Sequence, residues 1–106
     1  MNPYTAVARI ITIRQVEEAA CEAWEIPIEE LYVKRRFREK VEPRQVVFHY
    51  RKKYMGHSPR RINDETGFHY ANVYHAESVV DNLMETDPIF RKKYDYFLKI
   101  LSEEVN

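Results

Sequence analysis

Between residues 34 and 61 the chain sets eleven cations against two acids. The cations are Lys34, Arg35, Arg36, Arg38, Lys40, Arg44, Arg51, Lys52, Lys53, Arg60 and Arg61, and the acids are Glu39 and Glu42, a formal +9 in a protein whose total is zero. The balance is restored nearby, since residues 17 to 30 carry six glutamates and no base. Ammonium and guanidinium groups at this density suit one task above others. They replace the counterions of a polyanion, and guanidinium forks onto phosphate oxygens. The plainer reading of any such charge run is a solvated surface.

Other residue types that can do chemistry are present without the company they need. His49, His57, His69 and His75 are scattered over separate elements. On one helix, positions 69 and 75 fall on nearly opposite faces, whereas shared coordination needs a spacing of four. No metal site is therefore expected. Glu17, Glu18, Glu22, Glu25, Glu29 and Glu30 have no nucleophile or glycine-rich loop beside them, so they read as a solvated helix face. Cys21 is the only cysteine, which leaves no disulfide and no zinc knuckle within the chain, and it reads as a small buried apolar side chain. No GxxxxGK[ST] loop occurs, so nucleotide hydrolysis is excluded on motif grounds. The expectation is a protein without catalysis, metal or cofactor.

The elements that must position the cations are helical almost throughout. A length of 106 residues suggests one domain, 1–106. No apolar run is long enough to span a membrane, and Met1 to Ile10 lacks the pattern of a secretory signal, so a cytoplasmic protein is expected. Thr12 is a plausible N-cap, and Ile13, Val16, Ala20 and Ala23 recur at helical spacing behind it. Trp24 anchors the end of that helix. A short helix fits Ile28 to Tyr32. Pro43 reads as the first turn of a longer helix with Val46, Val47, Tyr50 and Tyr54 on its apolar side and Gly56 as its stop. Ser58-Pro59 opens a short helix with Ile62 inward, and Gly67 supplies a turn. The next helix runs from about His69 to Glu85 and turns Val73, Ala76, Val80 and Leu83 to the core. Asp87-Pro88 opens the last, whose apolar residues are Ile89, Phe90, Tyr94, Phe97, Leu98 and Leu101. The expected class is all-α, about six helices, with a helix-turn-helix over about 58–85.

This ordered set resembles a known family, the C-terminal DNA-binding domain of the bacterial replication initiator DnaA, a helical domain related in fold to Trp repressor. Four pieces carry the resemblance. Arg14-Gln15-Val16 is similar to the family's opening helix, Lys34-Arg35-Arg36-Phe37-Arg38 to its basic loop, Pro43-Arg44-Gln45 to the P-R-Q of its middle helix, and Val73-Tyr74-His75-Ala76 to the V-x-H-A of its recognition helix. The family's R-D-H-T-T, which contributes to reading bases, is not retained. Those places hold Phe68, His69, Tyr70, Ala71 and Asn72. Glu42 stands where many members have a base, and the large ATP-binding module of the initiator is missing, as for a divergent stand-alone domain.

The resemblance implies a non-catalytic domain that binds double-stranded DNA at a site other than the usual DnaA box. Lys34, Arg35, Arg36, Arg38, Arg60, Arg61 and His75 are expected on the DNA backbone. Arg44, His69, Tyr70 and Asn72 are expected to read bases, Arg44 from the minor groove. One short recognition helix calls for self-association, neighbouring copies or a protein partner. The rival reading is a protein–protein interaction module on a degenerate helix-turn-helix scaffold. An acidic partner would then meet the basic surface, or a basic partner the acidic first helix.

Overall fold

The computed structural model describes residues 11–34 and 37–104. Among them regular structure is helical throughout. The elements are α1 (Ile13–Trp24), a 3-10 turn (Ile28–Glu30), α2 (Arg38–Tyr54), α3 (Pro59–Thr66), α4 (Tyr70–Thr86) and α5 (Pro88–Glu104). The all-α expectation holds, with five α-helices and one 3-10 turn.

Helix starts follow local chemistry. At α1, Gln15 N–H donates to Thr12 Oγ1 (3.1 Å) and Thr12 N–H donates to Gln15 Oε1 (2.9 Å), a reciprocal capping box. At α3, Ser58 Oγ accepts from Arg61 N–H with Pro59 at the first helical position. At α5, Asp87 Oδ1 accepts from the amides of Ile89 and Phe90.

Two expectations need correction. First, α2 begins at Arg38 rather than Pro43, which lies inside the helix. A proline there removes the donor for one carbonyl. The turn before it is nonetheless held by tertiary partners: Trp24 Nε1 donates to the buried Glu42 carboxylate (3.0 Å), and Lys40 pairs with Glu30. Second, the helix expected over Ile28 to Tyr32 is a three-residue 3-10 turn. Leu31 is fully buried and the Tyr32 hydroxyl donates to Glu17, which draws the chain off a helical path. On α5, Ile89 is 70% exposed while Phe90 is buried.

Helix α2 runs through the middle, packed on α1 and α4; α5 packs on α1 and α4, and α3 on α4. The main core is formed by α1, Leu31, α2, α5 and Val80 of α4, with Val16, Trp24, Val46, Val47, Phe90 and Phe97 among its members. A second cluster joins Phe48 of α2, Ile62 of α3, Phe68 of the turn, and Val73 and Ala76 of α4, with Tyr32 against it. This smaller cluster fixes the corner between α3 and α4.

Candidate nucleic-acid interface

The corner is built from short-range hydrogen bonds. Gly67 ends α3 at φ +81°, a conformation that glycine adopts without strain. Nothing lies within 4 Å of where a Cβ would stand, so backbone geometry and not space sets the requirement. Thr66 Oγ1 donates to Ile62 O (2.7 Å) and accepts from Phe68 N–H (3.3 Å), and Asn63 Nδ2 donates to Phe68 O (2.7 Å). These bonds hold Phe68 inward, at 6% exposure, so the first residue of the altered signature belongs to the core.

His69 caps α4, its Nδ1 accepting from Ala71 N–H (3.1 Å), and its ring centroid lies 4.1 Å from that of Tyr70. That commitment leaves Nε2 as the ring nitrogen able to meet a ligand. Asn72 Nδ2 donates to His69 O at 3.3 Å, which engages one of its two amide hydrogens. Tyr70, Ala71, Asn72, Tyr74 and His75 are all exposed, and the first seven residues of α4 include no acid. The opening residues of α4 thus show amide, imidazole and phenol groups on a backbone pinned from below.

Two of the expected cations meet here. The Arg44 guanidinium stands 4.4 Å from the Phe68 ring centroid and Lys34 Nζ 5.5 Å from it, so both sit on the residue that leads into α4. Arg44 also donates to Val33 O (3.2 Å), which ties the basic loop to α2. Burial lowers the pKa of Arg44 from its ordinary value, though a guanidinium stays charged at any physiological pH. Phe37, at the N-cap of α2, is 65% exposed in the middle of the same loop. Arg35 and Arg36 lie outside the described residues, as does the side chain of Arg38, whose backbone opens α2.

The remaining cations are not one surface. Arg51 is 1% exposed; its Nε donates to His57 Nδ1 (3.0 Å) and its Nη2 to Glu65. Arg61, on the first turn of α3, donates to the other oxygen of Glu65 (2.9 Å). Lys52 pairs with Glu77 at 2.6 Å. Arg60 and His75 are exposed on α3 and α4. The cations of the basic stretch are therefore divided between Lys34 and Arg44 over Phe68 and a set of ion pairs, of which Arg51 is the enclosed member. The sequence reading also left Tyr74 unplaced. It is 54% exposed, one turn beyond Tyr70, with Lys52 Nζ 5.6 Å from its ring centroid. The four-residue spacing of the two tyrosines is the signal that places them on one face.

Fold and site together define a small all-α domain that presents the start of one helix beside a basic loop. The chain is similar to the chromosomal replication initiator protein DnaA of Flavobacterium psychrophilum, with 33% identity over 97 residues. The match takes in 91% of this chain and 20% of that protein, so the chain spans about a fifth of the length of the curated relative it matches. No protein-family model matches the chain. None of the helices among the described residues is long and apolar enough to cross a membrane.

Proposed function

We propose that this chain is a non-catalytic, cytoplasmic domain, spanning 1–106, that binds double-stranded DNA. The corner of α3 and α4 acts as a helix-turn-helix that sets the start of α4 in the major groove. Lys34, Arg35, Arg36, Arg38, Arg60, Arg61 and His75 meet the phosphates. Arg44, His69, Tyr70 and Asn72 approach base edges, with Tyr74 beside them. The observation that carries this reading is the meeting of Lys34 and Arg44 over Phe68, immediately before the exposed face of α4. Cations there flank the exposed start of α4. The similarity to a replication initiator supports a role in DNA replication or its control, with a partner or a second copy adding to the grip of one short helix.

Selection of bound sequences from a random duplex pool tests this directly. Enrichment of one motif is expected. Asn72→Ala is expected to relax one base position in that motif, at about 1–3 kcal/mol of discrimination. An identical motif from the variant removes Asn72 from base reading, and failure to retain any duplex removes the function. The pairing of Arg51, Lys52 and Arg61 with glutamates favours the second reading, a protein–protein module on the same scaffold. That reading expects no duplex retention even at low salt.

A further inference from the structure

The imidazole at the start of α4 is fixed both in position and in which nitrogen carries the proton. His69 is exposed, yet its neighbours hold it. Its carbonyl accepts from Asn72 N–H (2.8 Å) and from Asn72 Nδ2 (3.3 Å). Its Nδ1 accepts from Ala71 N–H (3.1 Å), and the Tyr70 ring lies across it with centroids 4.1 Å apart and planes tilted by 32°. A nitrogen that accepts a hydrogen bond carries no proton. With the cap in place, the imidazole bears its one proton on Nε2, the nitrogen left for a ligand. A free histidine can offer either nitrogen as donor or acceptor. His69 is committed as a donor.

The major groove sorts bases by such groups. Guanine shows two adjacent acceptors, N7 and O6. Adenine shows N7 beside an amino donor, thymine shows O4 beside a methyl group, and cytosine shows an amino donor. An N–H group facing cytosine meets another donor, and facing adenine it meets the amino group beside N7. Guanine alone presents acceptors without a donor or a methyl group beside them. Phosphate is the competing acceptor. Lys34 and Arg44 lie over Phe68, the preceding residue, and charged donors bind phosphate more strongly than a neutral imidazole does. The uncharged donor is the group suited to a base edge.

Given the duplex binding proposed above, on which this assignment rests, we propose that His69 Nε2–H donates to N7 of a guanine in the major groove. His69 then fixes guanine at one position of the bound site. The Ala71 amide sets the tautomer, and Tyr70 sets the tilt of the ring.

The test starts from the duplex that the full chain enriches from a random pool. Each guanine of the motif is replaced in turn by 7-deazaguanine, which pairs normally and lacks the N7 acceptor. At one guanine the affinity of the unaltered protein is expected to fall about fivefold, as for the loss of one hydrogen bond. His69→Asp keeps an oxygen for the Ala71 amide and offers no donor. A thermal melt checks that this variant is folded. The same 7-deaza replacement is expected to change nothing for the variant, and selection with the variant is expected to lose guanine at that position. No loss at any guanine with the unaltered protein, or losses equal in both proteins at every guanine, overturn the assignment and leave duplex binding standing. A variant that binds all sequences more weakly with an unchanged motif places His69 on phosphate and likewise overturns it. Retention of no duplex at low salt overturns the duplex binding itself, and this assignment with it.

Discussion

Lys34 and Arg44 stand on the rim of the α3–α4 corner, whereas Arg51, only seven residues further along α2, is almost wholly enclosed and tied to Glu65. Both sets come from one basic stretch, yet they do different work. Lys34 and Arg44 lie over Phe68, at the start of α4. The inner set joins α2 to α3 and α4 through Glu65 and Glu77. A count of charge along the sequence therefore overstates the positive surface, because Arg51 and Lys52 are matched by acids that the sequence places fourteen and twenty-five residues later, and Arg61 by Glu65 one turn on.

The largest test of this contrast lies beneath the rim. Phe68→Ala removes the ring that supports Arg44 and Lys34 and joins Phe48, Ile62 and Val73. It is expected to cost about 3–5 kcal/mol of stability, read from the shift of the urea midpoint. A loss below about 1 kcal/mol would mean that the corner does not depend on that cluster. Next comes the inner set itself. Glu65→Ala leaves the enclosed Arg51 charge without its carboxylate and is expected to cost about 3 kcal/mol. The same change is expected to leave the salt dependence of duplex binding unaltered in the protein that remains folded. A steeper salt dependence would place Arg51, released from Glu65, among the phosphate contacts.

A smaller effect is expected from pH. Burial, followed by the charges of Arg51 and Arg61, lowers the pKa of His57, and burial lowers that of His49. Both then lie below their ordinary value of 6.5 in the folded protein. As pH falls below 6.5 the unfolded chain takes up protons before the folded one does, so stability declines from there down to the folded-state pKa values. Above about pH 7.5 these two groups contribute no slope. Urea midpoints measured at pH 5.5 and 7.5 decide the sign, and a more stable protein at the lower pH would contradict the enclosed, neutral histidines.

What the sequence made legible was local. Thr12, Ser58-Pro59, Asp87-Pro88 and Gly67 mark real helix ends because each acts within three or four residues of itself. The repeat of Val73, Ala76 and Val80 identified the inner face of α4 for the same reason. What it hid was long-range. Pro43 misled because Trp24 and Glu30 hold the turn before it, and neither is near it in sequence. Arg51 read as surface because its partner Glu65 lies fourteen residues away on another helix. His49 gave no sign of its enclosure, since the carboxylate it meets, Asp81, lies thirty-two residues on. Of the interface, the exposed start of α4 was legible from helical spacing, whereas the burial of Phe68 beneath Arg44 was not.

The most direct measurement is the affinity for a duplex as a function of salt. If about five cations of the outer set meet phosphates, log K falls against log salt with a slope near −4.5, so raising salt from roughly 50 to 200 mM costs about 500-fold. Arg35→Ala with Arg36→Ala is expected to flatten that slope by about two. A slope unchanged by those two substitutions, or no binding at the lowest salt, would contradict a DNA grip centred on the basic loop.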